Sequence, residues 1–75
     1  MENPLIITIK QAIFDRYQQK YGHVTIDLDS IVPEPEQDHQ AHVEFTIRKA
    51  DSFVTRYYGT ATIQDGQVHF DVMSI

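Results

Sequence analysis

The dipeptide Asp65-Gly66 constrains this chain more than any other feature of its sequence. Asp-Gly between two alternating apolar segments is typical of a two-residue β-hairpin turn, in which both residues take positive φ. Such a turn fixes the register of its flanking strands, which we expect at about residues 53–63 and 67–74. The register predicts three facing pairs on one face of the sheet, namely Ile63 with Val68, Ala61 with Phe70, and Gly59 with Val72.

The N-terminal segment has the apolar period of an α-helix. Asn3 is a favoured N-cap residue, and Gly22 suits the position just past a helix end. We therefore expect a helix over about residues 4–21, with its apolar face formed by Ile6, Ile9, Ile13 and Tyr17. The β-branched run 5–9 also fits a short strand before a shorter helix, and this alternative remains open.

After Gly22 the apolar period changes from 3.6 to 2, which predicts strands at about residues 23–32 and 42–49. Between them, residues 33–41 form an acidic loop that we expect to be mobile. Pro33 is expected to end the first strand because proline cannot donate to a ladder. A three-residue loop, Ala50-Asp51-Ser52, keeps the faces of the second and third strands matched and places Phe45 opposite Tyr57.

Together these elements predict a single α+β domain over residues 1–75. One N-terminal helix packs across a four-stranded antiparallel β-meander with strand order 1-2-3-4. The layout resembles the cystatin-like and other helix-on-meander folds by analogy only, since no motif names a family. Gly59 lies in mid-strand, which predicts close approach of another backbone, and we expect that backbone to be the helix.

Composition narrows the classes of function. The 75 residues include eleven acidic and six basic side chains, for a net charge of −5. Nucleic-acid binders and proteins that dock on anionic lipid carry a basic face, so we expect neither nucleic acid nor a membrane as partner. The chain has no cysteine, which excludes disulfides and thiolate metal sites. The N-terminus has no signal-peptide core, and we expect a cytoplasmic protein.

The sheet face turned away from the helix carries apolar side chains where polar ones are usual. The register predicts an interaction surface there, formed by Val54, Arg56, Tyr58, Met73 and Ile75. Exposed apolar patches often mark contact surfaces, although tyrosine and valine are also common on any strand face. We therefore expect a non-enzymatic protein-interaction module, with a homodimer as the simplest assembly. The fourth strand is an edge that could pair with its symmetry mate, although the outward Asp71 is also a device against such pairing.

A small-ligand or divalent-metal site is the second hypothesis. Imidazole and carboxylate groups suit zinc, and the candidate ligands on the same face are His42, His69 and Asp71. Asp27 and Asp29 fit either an acid–base pair or ordinary polar positions of a strand. No serine lies in a Gly-x-Ser-x-Gly turn, and no glycine-rich phosphate loop is present. We expect no enzymatic activity and no cofactor.

Overall fold

The computed structural model describes residues 3–49 and 53–74 of the chain. Its elements in order are the helix α1 (Pro4–Tyr21) and the strands β1 (Val24–Pro33), β2 (Gln40–Lys49), β3 (Val54–Gln64) and β4 (Gln67–Ser74). The strands form one antiparallel sheet in the order β1-β2-β3-β4. This confirms the predicted α+β layout of one N-terminal helix and a four-stranded meander. The expected loop Ala50-Asp51-Ser52 lies outside the described residues.

Local sequence signals at both ends explain the limits of α1. Asn3 Oδ1 accepts a hydrogen bond from the Leu5 amide at 2.9 Å and so caps the first turn. At the other end Gly22 takes a φ of +77°, and its amide donates to the Gln18 carbonyl at 2.8 Å. Residues 5–9 belong to the helix rather than to a strand. Within residues 3–49 and 53–74, no helix combines the length and the apolar composition needed to cross a bilayer.

The core lies between α1 and one face of the sheet, called here the inner face. The helix contributes three buried residues, Ile9, Ile13 and Tyr17, and the sheet contributes Ile26, Ala41, Val43, Phe45, Ile47 and Ala61. The Tyr17 ring lies 5.1 Å from the Phe45 ring and 5.5 Å from the Tyr57 ring, measured between centroids. The backbone of α1 approaches β1 more closely than the other strands. Consequently β4 receives less cover, and its inward side chains Val68, Phe70 and Val72 are only partly buried.

The registers of the β2–β3 and β3–β4 hairpins agree with those predicted from the sequence. Asp65 and Gly66 have φ values of 55° and 76°, and the three predicted pairs across this turn are all present. Phe45 lies opposite Tyr57 between β2 and β3, as predicted.

The strand β1 is less regular than its sequence suggests. The register against β2 shifts between Leu28 and Ser30, so Asp29 is the extra residue of a β-bulge. β1 also continues to Pro33, and the turn to β2 covers only residues 34–39. The Glu34 amide donates to the Gln40 carbonyl. In this part of β1 the even-numbered residues therefore direct their backbone N–H and C=O groups toward β2. The backbone of Pro33 is directed toward the open edge instead, so its lack of an N–H costs no hydrogen bond to β2.

Gly59 is approached by a strand and not by the helix. Its φ is +155°, and a Cβ built there would lie 2.1 Å from the Asp71 carbonyl oxygen and 2.7 Å from Val72 Cα. The expectation that the helix approaches this glycine is therefore wrong. The missing side chain makes room for the backbone of β4.

Candidate functional site on the outer sheet face

The outer face, on the side of the sheet opposite α1, presents side chains in cross-strand rows. One row joins Ser30, Glu44, Tyr58 and Met73, the next joins Val32, His42, Thr60 and Asp71, and a third joins Asp27, Thr46 and Arg56. These rows let the two halves of the face be compared directly.

The half formed by β1 and β2 is polar and internally bonded. Arg48 Nε lies 3.0 Å from Asp27 Oδ2, and the Thr46 hydroxyl donates to Asp29 Oδ2 at 2.8 Å. Thr46 is buried even though it faces away from the helix. Each aspartate thus has its own partner on β2, an arrangement that strengthens the pairing of the two strands.

The half formed by β3 and β4 leaves its apolar side chains in solvent. The exposed fractions of Val54, Tyr58 and Met73 are 58%, 38% and 59%. Tyr58 lies directly opposite Met73, so these two predicted surface residues are neighbours. Val54 lies four residues before Tyr58, about 13 Å along the strand, with Arg56 between them. We call Val54, Arg56, Tyr58 and Met73 the outer patch, while the fifth predicted member, Ile75, lies outside the described residues.

The candidate metal ligands share the outer face but do not form a cluster. Thr60 lies between His42 and Asp71 in their row, and His69 lies opposite Thr62. His42 Nε2 lies instead 2.7 Å from Glu34 Oε2, on the turn after β1. Within residues 3–49 and 53–74, no group of three or more His, Cys, Asp or Glu side chains is arranged to hold a metal ion. The metal site therefore stays a prediction that no ligand cluster supports.

A shallow depression of about 460 Å³ lies on the outer face next to the outer patch. Its lining includes Val32, His42, Glu44, Tyr58 and Thr60. It joins the ring of Tyr58 to the imidazole of His42.

Sequence reasoning missed Val32 and the contact between Asp29 and Thr46. Both depend on the bulge, because an extra residue turns every later side chain of the strand to the opposite face. The signal was present in the sequence, since the inward apolar residues change from even to odd numbers between Leu28 and Ile31. Val32 consequently lies on the outer face and is 53% exposed.

A pair of tyrosines joins the end of α1 to β3 at the border of the core. The hydroxyl oxygens of Tyr21 and Tyr57 lie 3.2 Å apart. Burial, together with the hydrogen bond to Tyr21, raises the pKa of Tyr57 to about 12. The same hydrogen bond lowers the pKa of Tyr21, with help from nearby Lys20 and Lys49. The two phenols therefore differ in the order in which they ionise.

Comparison of this chain with protein families, curated proteins and solved structures finds no match.

Proposed function

We propose that this chain is a non-enzymatic protein-interaction module that binds a protein partner through its outer patch. The observation that carries the proposal is the exposure of Val54, Tyr58 and Met73 on the β3–β4 half of the face, whereas the β1–β2 half, apart from the exposed Val32, is polar and internally bonded. Arg56 lies among these residues. Tyrosine, methionine and arginine are enriched at protein interfaces, and the patch combines all three.

A second copy of the chain is the simplest partner, since two-fold homodimers are the commonest small assemblies. A cytoplasmic location belongs to the same proposal. It is supported by the acidic composition and by the absence of cysteine, which disulfide-stabilised secreted domains of this size usually contain.

The test compares two variants of the outer face by sedimentation equilibrium. The double variant Tyr58→Ser/Met73→Ser removes the adjacent apolar pair, whereas Val32→Ser removes an equally exposed side chain from β1 as a control. We expect only the double variant to associate more weakly than the parent, with both variants keeping the circular dichroism of the parent. Unchanged association of the double variant would rule out the outer patch as the contact between copies.

The depression lined by Tyr58 and His42 favours a small-ligand site as the second candidate. Its metal form would use His42, His69 and Asp71, of which His42 lines the depression. Zinc added while the histidine ring signals are followed by NMR tests its metal form. We expect His42 and His69 to respond together at sub-millimolar zinc if the site exists, because useful metal sites bind far more tightly than that. Silence of both rings would eliminate the metal form, and a response of one ring alone would indicate a single surface ligand.

A further inference from the structure

The free edge of β4 presents a regular row of backbone hydrogen-bonding groups. The Ile63 amide donates to the His39 carbonyl on the β2 side at 2.8 Å. Because N–H and C=O directions alternate along a strand, the even-numbered residues of β3 direct their groups toward β4. Their partners on β4 are His69, Asp71 and Met73. The backbone N–H and C=O groups of the intervening residues, Val68, Phe70 and Val72, therefore point away from β3, toward the free edge of the sheet.

The other edge of the sheet is a poorer template for pairing. β1 is interrupted by the bulge at Asp29 and ends on Pro33, both of which are known protections of edge strands. β4, by contrast, keeps one register against β3 from Gln67 to Ser74. The edge at β4 is thus the one on which another strand can add without a break.

We propose that a second copy of this chain pairs its own β4 with this edge, antiparallel and about a two-fold axis at Phe70. Two four-stranded sheets then become one sheet of eight strands. In this register Phe70 lies opposite the partner's Phe70, and Val68 lies opposite the partner's Val72. All of these residues direct their backbone groups outward, so each pair forms ladder hydrogen bonds.

The charges on the outer face favour this register over the one with its axis at Asp71. With the axis at Phe70, His69 lies opposite the partner's Asp71, and the contact occurs twice by symmetry. An imidazole N–H can donate to a carboxylate whether or not the ring is charged. An axis one residue later also satisfies the backbone, but it places Asp71 against the partner's Asp71. Like charges directly opposite are unfavourable, so the Phe70 register is preferred.

The inner face gains cover from the same contact. Val68, Phe70 and Val72 are only partly buried because α1 lies nearer to β1. Pairing brings the partner's equivalent residues alongside them and removes apolar surface from water. The groove between α1 and β4 contains one acid and one base, Asp15 and Arg16, so no net charge of its own opposes the approach. This contact uses the backbone edge of β4, and of the outer patch only Met73 lies on that strand.

A charge exchange on β4 tests the register by sedimentation equilibrium. His69 and Asp71 are exposed, so we expect their substitution to leave the fold intact. His69→Asp places like charges opposite each other twice and should weaken association about tenfold. The double variant His69→Asp/Asp71→Lys restores opposite charges and should recover the association of the parent. With an axis at Asp71 the double variant would instead set lysine against lysine and would not recover.

Amide hydrogen exchange locates the contact independently of the variants. Protection of the Val68, Phe70 and Val72 amides should rise with protein concentration, whereas the His69 and Asp71 amides, already bonded to β3, should change little. A parent that sediments at the monomer mass of 8.7 kDa up to millimolar concentration would overturn the proposal. Equal association of the single and double variants would overturn it too. Loss of association in Tyr58→Ser/Met73→Ser, with no concentration dependence at these amides, would assign self-association to the outer patch instead.

Discussion

On the outer face, β1 and β2 are joined by the side-chain contacts Asp27–Arg48 and Asp29–Thr46 and expose one large apolar side chain, Val32, whereas β3 and β4 expose Val54, Tyr58 and Met73. The two halves belong to one sheet with similar strand lengths, yet they differ on both faces and at their free edges. The β1 half has the nearer helix, a bulged edge and paired aspartates, while the β4 half has a partly exposed inner face and a regular edge.

The width of one helix explains the difference on the inner face. A helix with its side chains is about 10–12 Å across, whereas four strands at about 4.8 Å spacing span about 19 Å. A single helix therefore leaves part of a four-stranded sheet uncovered. In this chain the uncovered part is β4, because α1 continues through Gly22 directly into β1 and stays close to it. Surface available for contacts is concentrated in the half that the helix reaches least.

The largest expected effect comes from the contact that both halves share, the buried face of α1. Ile13→Asp should unfold the protein, because its side chain is fully buried and an unpaired buried carboxylate costs several kcal/mol. Small domains are stable by only about 5–15 kcal/mol. Gln18→Asp, on the exposed side of the same helix, is the control and should stay folded. Circular dichroism melting of both variants checks this, and similar behaviour of the two would contradict the observed helix orientation.

The next largest loss of stability is expected at Gly59, and it should affect the β4 half more than the β1 half. Gly59→Ala places a Cβ against the Asp71 carbonyl, so β4 must move away from β3. We expect a loss of about 3 kcal/mol or more, since strain and overpacking act together. Amide exchange should increase first in β4 and less in β1 and β2. Thr60→Ala, at the next position of β3 but facing outward, is the matched control, and an equal loss in both variants would show that the close approach is unimportant.

A smaller effect should follow from the ionisation of Tyr57. The folded state raises the pKa of this phenol from 10.0 to about 12, so it favours the neutral form. The unfolded chain ionises this phenol earlier, so the contribution of Tyr57 to the free energy of unfolding should fall as pH rises from about 10 to about 12, while the lowered pKa of Tyr21 acts in the opposite direction. Tyr57→Phe should reduce that fall, whereas Tyr58→Phe on the outer face should keep it. Urea denaturation across this pH range measures the difference, and identical slopes for all three proteins would contradict it.

The smallest effect concerns the polar half. Thr46→Val removes the donor to Asp29 and keeps the shape of the side chain, so we expect a loss of about 0.5–1.5 kcal/mol. Thr62→Val, on the outer face of β3, is the control in the same urea titration and should change stability less. A larger loss at Thr62 would mean that the hydrogen bond across the bulge does not stabilise the polar half.

Much of the fold follows from short-range sequence signals. Asp65-Gly66 determines the β3–β4 register through backbone conformation alone, and Asn3 and Gly22 define the helix through capping. These signals act over a few residues and therefore need no knowledge of tertiary packing. The inward apolar residues of β2 and β3 are all odd-numbered, and this pattern sets the register of the two central strands in the same way.

Features that depend on distant neighbours were harder to predict. In the sequence, the bulge at Asp29 is visible only as a change from even to odd numbers among the inward apolar residues of β1. The hydrogen bond from Thr46 to Asp29 can be predicted only once the β1–β2 register is known. The neighbour of Gly59 was misassigned because a mid-strand glycine indicates close approach without naming the element that approaches. The outer patch was predicted from the register, but the distance between Val54 and Tyr58 shows that it is less continuous than their shared face suggests.

The interrupted edge of β1 also sets an upper limit on growth by strand addition. Propagation into a fibril requires each added molecule to offer a fresh template on its far side. Here the far side of any added molecule is β1, whose bulge and terminal proline break the template. Strand addition through the proposed β4 contact therefore stops at two molecules, and an exposed β4 edge does not carry the hazard of open-ended growth by strand pairing.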